Sequence, residues 1–369
     1  MNNISLATKI LHPLESSASI AMFTRDTGGC LVPKLSISRS ADEAREIAFA
    51  EVAESAVFYF SITPIAKFFS KVFSSLFNLT SDKFITPIDT IKNNGNLIKN
   101  LKLAKFGKIA ATFSVLLPLI YAIAPIRNLI TLGKTGKKDF VSLINLEKTR
   151  NLNNNDDKTT PAEKARQKAI SLLKKLALFA SIGLTFTAGT VALARNNTIY
   201  KNIEPAINSI VKHFDFKGNA GLTIKQLGFL IMPVSIASYF IASRDKYEIL
   251  ENARRFIITV PMMFFGQDLV ERKIYRFFDR AWGSTLTSSK GIRTYDELLK
   301  LPFKEQAINL KSKNWAIALA FLINTMAIGA AVSILNRIST KHRYQKKQEG
   351  LLLQKTHINS IRQWQQSFK

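Results

Sequence analysis

Asp268, Glu271 and Arg272, with Gln267 and Arg276 beside them, come nearest to forming a reactive group in this chain. Carboxylates next to arginines at a membrane surface could engage a lipid phosphate and act on it. Asp268 with Arg272 and Arg276 with Arg280 also stand at the spacing of ordinary solvated helix neighbours. The set therefore marks where an enzymatic activity would sit, and it is not assigned as an active site.

Other chemistry-bearing patterns fail on their own requirements. Asp26, Thr27 and Gly28 spell the triplet of aspartic proteases, whose carboxylate follows a hydrophobic strand and shares a proton with a second copy. Here Thr24 and Arg25 precede it and no second copy exists. Cys30 is the single cysteine, so there is no internal disulfide and no all-cysteine metal cluster, and nothing in the sequence brings the base His12 to it. Asp215, Asn219, Leu222 and Thr223 fit part of a calcium loop. Lys217, Ala220 and Gln226 stand where a ligand, the turn glycine and the bidentate carboxylate belong. Gly283 to Gly291 holds Lys290 but lacks the glycine that lets backbone amides wrap a phosphate. His12, His213, His342 and His357 are dispersed without metal-ligand spacing. No catalytic, cofactor or metal site is assigned.

The composition favours a different kind of protein. Hydrophobic residues make up 47% of 369, with 26 Phe, and they gather into uncharged blocks and not at amphipathic spacing. Four blocks lack any ionisable side chain over the length that a bilayer-spanning helix needs: 109–126, 176–194, 227–243 and 315–335. Basic residues flank them: Lys105, Lys108 and Arg127; Lys174, Lys175 and Arg195; Lys225 and Arg244; Lys311, Lys313 and Arg337. Such residues are expected to hold their charges at the headgroups. The fold class is all-α, a polytopic helical membrane bundle with four spans and up to six.

Two segments, 57–79 and 256–270, are ambiguous. In the first, Lys67 and Lys71 draw a polar stripe opposite Phe68, Phe69, Phe73 and Phe77, the pattern of a cationic helix lying in the interface plane. The second contains Pro261 and Gly266 and reads as re-entrant or as a further span. In the last span, Ala316, Ala320 and Asn324 are four apart, as are Thr325, Gly329 and Ser333, a spacing that lets helix backbones approach. Prolines 118, 125 and 233 would kink their helices.

Ser40 with Glu43, Thr160 with Glu163 and Thr294 with Glu297 spell capping boxes, so the polar regions are expected to be helical too. The first opens a helix carrying Glu46, Glu51 and Glu54. This gives an N-terminal polar region (1–52), a membrane bundle (53–345) with a linker at 148–160, and a basic tail (346–369) with Leu351, Ile358, Ile361 and Phe368 on one face. Residues 1–22 hold no apolar run of signal-peptide length, so no cleavable signal is expected. The loop between the first two spans has 12 Lys or Arg and the next has 5, which favours placing the former in the cytoplasm of a cell-membrane protein; a cytoplasmic N-terminus, expected without a signal peptide, then requires the segment 57–79 to cross as well.

The formal charge of +26 fits anionic lipid as a partner, with a protein partner or a second copy also accommodated; nucleic acid is not the expected partner. The lead reading is a non-enzymatic membrane protein that organises or binds partners. Hydroxyl-bearing, proline-kinked spans make a passive channel or exporter the alternative, and a lipid-modifying enzyme comes third. Ion-coupled transport is disfavoured, because none of the four blocks holds an ionisable group.

Overall fold

In the computed structural model, the acidic helix opened by Ser40 does not stop where its acids end. It runs on into the Phe-rich segment. The structure describes residues 5–80, 95–146, 160–214, 224–262, 267–289 and 291–366. Its elements are α1 (Leu6–Ser16), α2 (Ala18–Phe23), α3 (Gly29–Ser36), α4 (Ala41–Ser55), α5 (Ile62–Leu76), α6 (Gly95–Thr135), α7 (Phe140–Leu143), α8 (Pro161–Leu193) and α9 (Asn197–Phe214). There follow α10 (Ile224–Ala242), α11 (Lys246–Pro261), α12 (Gln267–Trp282), the hairpin strands β1 (Thr287–Ser288) and β2 (Gly291–Ile292), α13 (Tyr295–Leu298), α14 (Phe303–Asn324) and α15 (Val332–Gln366). Wide π-helical turns at Thr24–Gly28, Ala56–Ser61 and Thr325–Ala331 join α2 to α3, α4 to α5 and α14 to α15 without a break. The chain is all-α, and β1 with β2 are the only strands among the described residues.

Four helices are long and apolar enough to cross a membrane: Ala41–Leu76, Gly95–Thr135, Pro161–Leu193 and Phe303–Ile361. Three contain the uncharged blocks expected at 109–126, 176–194 and 315–335. The fourth contains most of the ambiguous segment 57–79 and passes through position 52 without interruption. The block 227–243 falls in α10, whose apolar part, Gly228–Ala242, is shorter. The linker expected at 148–160 lies outside the described residues except for Thr160, which caps α8 in a full capping box with Glu163. The tail is not a separate element, because α15 runs from the last apolar block to Gln366; Phe368 lies outside the described residues.

Two close approaches fix how the long helices pack. A Cβ on Gly183 of α8 would stand 2.5 Å from the Ser114 hydroxyl of α6, and one on Gly133 would stand 3.3 Å from Cβ of Ala165. These pairings make α6 and α8 an antiparallel hairpin. A Cβ on Gly107 would stand 2.3 Å from the ring of Phe73, so the missing side chain of α6 is the socket in which α5 docks. Further along α6, the Ser238 hydroxyl donates to Tyr121 O at 2.6 Å and the Asn128 amide donates to Ala242 O at 2.5 Å. Those bonds hold α10 parallel to α6. The polar helix α9 lies along the other end of α6, where Lys102 meets Glu204 at 2.9 Å.

The main apolar core joins Phe58, Tyr59, Ile62 and Phe73 to Leu101, Leu116 and Ile120 of α6, with Val191, Ile207 and Ile231 from the neighbouring helices. A second core packs α12, through Ile274, Tyr275 and Phe278, onto Ala316 and Ala320 of α14. The N-terminal helices run beside the last long helix. Lys313 donates to Glu15 at 2.5 Å, and a Cβ on Gly329 would meet Gly29 O at 3.2 Å and Cα of Cys30 at 3.3 Å.

Candidate functional site

Glu43, Glu46, Glu51 and Glu54 share one face of α4, because steps of three, five and three residues keep them within less than half a helical turn of one another. Isolated carboxylates on such a helix would cost several kcal/mol each to bury. The fold meets them with cations from four other elements. Lys34 ends α3, Arg39 sits in the link to α4, Arg127 comes from α6, Arg244 follows α10, and Arg255 comes from α11.

Three sub-sites follow one another along α4. At the outer end, Arg39 makes a fork to both oxygens of Glu251, at 2.7 and 3.0 Å, and also bonds Glu43 at 3.1 Å. Thr340 of α15 donates to the same Glu251 at 2.5 Å. Burial acts to lower the affinity of the Arg39 guanidinium for its proton, but hydrogen bonds and attraction from Glu251 and Glu43 outweigh that, and its pKa is raised. In the middle, Arg244 makes a second fork to Glu46, at 2.8 and 2.9 Å, and bonds Glu248 through Nε at 3.0 Å. Arg127 donates to Glu248 at 2.5 Å and lies 3.5 Å from Glu46. Burial alone would push the Glu248 carboxyl up; the two arginines hold it below the usual carboxylate range.

The innermost sub-site lies on the stretch of α4 that continues into the apolar helix. Glu51 meets Lys34 at 2.5 Å and Arg255 at 3.3 Å, while Glu54 accepts the Tyr239 hydroxyl at 2.5 Å. The Tyr239 ring is flanked by the guanidiniums of Arg127 and Arg255, 5.2 and 5.3 Å from its centroid. A cavity of about 120 Å3 opens among these groups and is closed on its far side by Ile328, Val332 and Asn336. One carboxylate oxygen, Oε2 of Glu51, is buried without a hydrogen-bond partner. With Arg337, which also lines the cavity, six cations face the six carboxylates Glu43, Glu46, Glu51, Glu54, Glu248 and Glu251, so the charges balance.

These positions differ from the sequence expectation. Arg127 and Arg244 were expected at the headgroups, and both are instead buried in ion pairs, with side chains 9% and 8% exposed. Lys105, Lys108 and Lys313, expected beside them, are also buried. The four uncharged blocks hold no ionisable group, but a further long helix, Ala41–Leu76, carries Glu46, Glu51 and Glu54. For Arg127, Arg244 and Lys313 the physical reason is the same: a flanking cation moves inward when a carboxylate on another element neutralises it.

The residues singled out in the sequence are distributed as follows. Lys67 and Lys71 are exposed, Phe68 is 61% exposed, Phe69 is half-buried, and Phe73 and Phe77 are buried, the latter beneath Arg195 at 5.5 Å. Ala316, Ala320, Asn324 and Gly329 are buried, whereas Thr325 and Ser333 are partly so; the first two meet α12 and the Thr325–Gly329 turn meets α3. Oδ1 of Asn324 and Oγ1 of Thr325 are buried without partners. Glu271 is half-buried and Arg272 exposed, and the Asp268 side chain lies outside the described residues, as does the Asp215 loop.

His12 pairs with Asp296 at 3.1 Å and Cys30 lies against Gly329, so the two are not brought together. The Gly283 segment is a short hairpin whose amides at Leu286 and Thr287 donate to Asp279. Comparison with family models, with curated proteins and with solved structures finds no match to this chain.

Proposed function

We propose that this chain is a multi-pass integral membrane protein that works by binding a protein partner at the membrane surface and not by turning over a substrate. The observation that carries this reading is the far part of α15. Beyond Thr340, which anchors it to Glu251, the helix runs on for 26 residues, about 39 Å. Its described side chains are exposed apart from Tyr344, which packs on Tyr247. A helix without tertiary packing keeps little stability of its own. This one presents Leu351, Leu352, Leu353, Ile358 and Ile361 to solvent, together with Lys341, Arg343, Lys346, Lys347 and Lys355. An acidic partner with an apolar groove satisfies both features. By the positive-inside rule, the end of the bundle that carries this helix and the basic 127–175 connection faces the cytoplasm.

The test places a photo-crosslinking residue at Leu352 in the full chain in native membranes. One adduct of defined mass, lost with Leu351→Glu and Ile358→Glu together, supports the reading. No adduct at Leu352, Ile358 or Ile361 overturns it. A conduit is the second reading, favoured by Glu51, whose unpartnered oxygen lies beside the cavity in a helix long enough to cross. Ion flux through proteoliposomes that Glu51→Gln abolishes would select it.

A further inference from the structure

Above the contact of Gly183 with Ser114, the two arms of the α6–α8 hairpin part and leave a groove of about 690 Å3. Ala110, Phe113, Leu117 and Pro118 line one wall, and Leu172, Leu176 and Phe179 line the other. Pro118 lies within α6 at this level and removes one backbone donor. Along α6, the lining covers 12 residues, from Ala110 to Tyr121, a rise of about 16 Å. That is the depth of one leaflet, half of the roughly 30 Å hydrocarbon core.

The groove is apolar apart from Ser114, beside Gly183, and Tyr121 and Lys175 at its mouth. Lys174 is the neighbour of Lys175, and Arg166 and Lys168 lie further along the same helix; all four are exposed, and none makes an ion pair among the described residues. This contrasts with the inner cluster, where Lys34, Arg39, Arg127, Arg244 and Arg255 each have a carboxylate. Lys175 lies midway along α8, within about two turns of the level of Arg127, on the side that the proposed orientation turns toward the anionic cytoplasmic leaflet.

We propose that the groove binds one anionic phospholipid, with an acyl chain between α6 and α8 and the headgroup phosphate on Lys175 and Lys174. Two features of the groove favour this occupant. The apolar length matches one leaflet, and unpaired cations stand only at the headgroup end. The inference rests on membrane embedding but not on the role of α15. Loss of the partner adduct at Leu352 leaves it intact, and release of the protein by alkaline washing would remove its premise.

The experiment uses the full chain in nanodiscs of phosphatidylcholine, with or without phosphatidylglycerol, followed by native mass spectrometry of retained lipid. Retention of one phosphatidylglycerol per chain is expected, unaffected by added inorganic phosphate. Each lysine is worth roughly fivefold in affinity near an anionic surface, so Lys174→Gln with Lys175→Gln should weaken retention about 25-fold. Ala110→Phe, which fills the groove and leaves the lysines, should abolish retention of either lipid. Circular dichroism in pure phosphatidylcholine checks that both variants fold. Equal retention of the two lipids, insensitivity to the lysine pair, or a dimer mass that Ala110→Phe abolishes would each overturn the proposal, the last by seating a second copy in the groove.

Discussion

Replacing Glu46 by Gln tests whether the middle of the charge cluster is a closed electrostatic unit. Two arginines, Arg127 and Arg244, face two carboxylates, Glu46 and Glu248, and the side chains of all four are less than one-tenth exposed. Glu46→Gln keeps the shape but leaves two guanidiniums on one carboxylate, a net positive charge in a buried site. Removing one partner of a buried pair costs about 3–5 kcal/mol. At roughly 2 °C per kcal/mol for a chain of this size, the melting temperature should fall by about 6–10 °C. Arg244→Gln leaves the opposite imbalance and should destabilise to a similar extent.

The double variant is decisive. With both replaced, Arg127 and Glu248 remain paired at 2.5 Å with no net charge. It should therefore melt above either single variant, a coupling of at least about 1.5 kcal/mol. Circular dichroism melts of the full chain in one detergent read this out. If Glu46→Gln melts within about 1 °C of the parent, or the two changes simply add, the burial argument is refuted.

Three further outcomes follow. The depressed Glu248 carboxyl contributes stability that is present above the ordinary carboxylate value, about 4.3, and is lost as pH falls through the lower folded value. Melts should therefore be flat between pH 6 and 7, within about 1 °C, and collapse below pH 4 in the parent more steeply than in Glu248→Gln. Gly107→Val should destabilise by about 1–3 kcal/mol by driving side-chain carbons into the Phe73 ring, and Phe73→Ala in the same chain should recover part of the loss; thermal melts of the two variants check both. In a Cys30→Ser background, cysteines at Ala41 and Thr80 bracket the first long helix, which is about 54 Å long. Impermeant reagents should label them from opposite sides, and labelling from the same side would return this segment to the membrane surface.

Much of the fold is legible because a span announces itself locally. The block 176–194 needs no partner to be recognised, since twenty residues without charge have few alternatives to lipid. The first long helix hid behind its own acids. Glu46, Glu51 and Glu54 read as surface chemistry because the residues that neutralise them lie as far as 204 positions away. Arg127 and Arg244 read as headgroup anchors for the same reason, since a cation at the end of a span looks alike whether it meets phosphate or carboxylate. One signal was present: acids gathered on a single face, in a chain with twice as many bases as acids, ask for internal partners. The α6–α8 groove left no comparable mark, because its shape depends on where Gly183 meets Ser114.

The forks that close on Glu46 also set a timetable for synthesis. Arg244 lies 198 residues downstream of Glu46, so at roughly 5–20 residues per second it leaves the ribosome about 10–40 s later. Through that interval, Lys34, Arg39 and then Arg127 are already in the chain, but Glu46 lacks its fork and Glu51 and Glu54 lack Arg255. Arg244 and Arg255 are thus the last cations to complete the cluster, and a chain that ends before them should be less stable. Nascent chains arrested just before Arg244 should be cleared by membrane proteases faster than chains arrested after Pro261, and equal lifetimes would show that the late cations add no such stability.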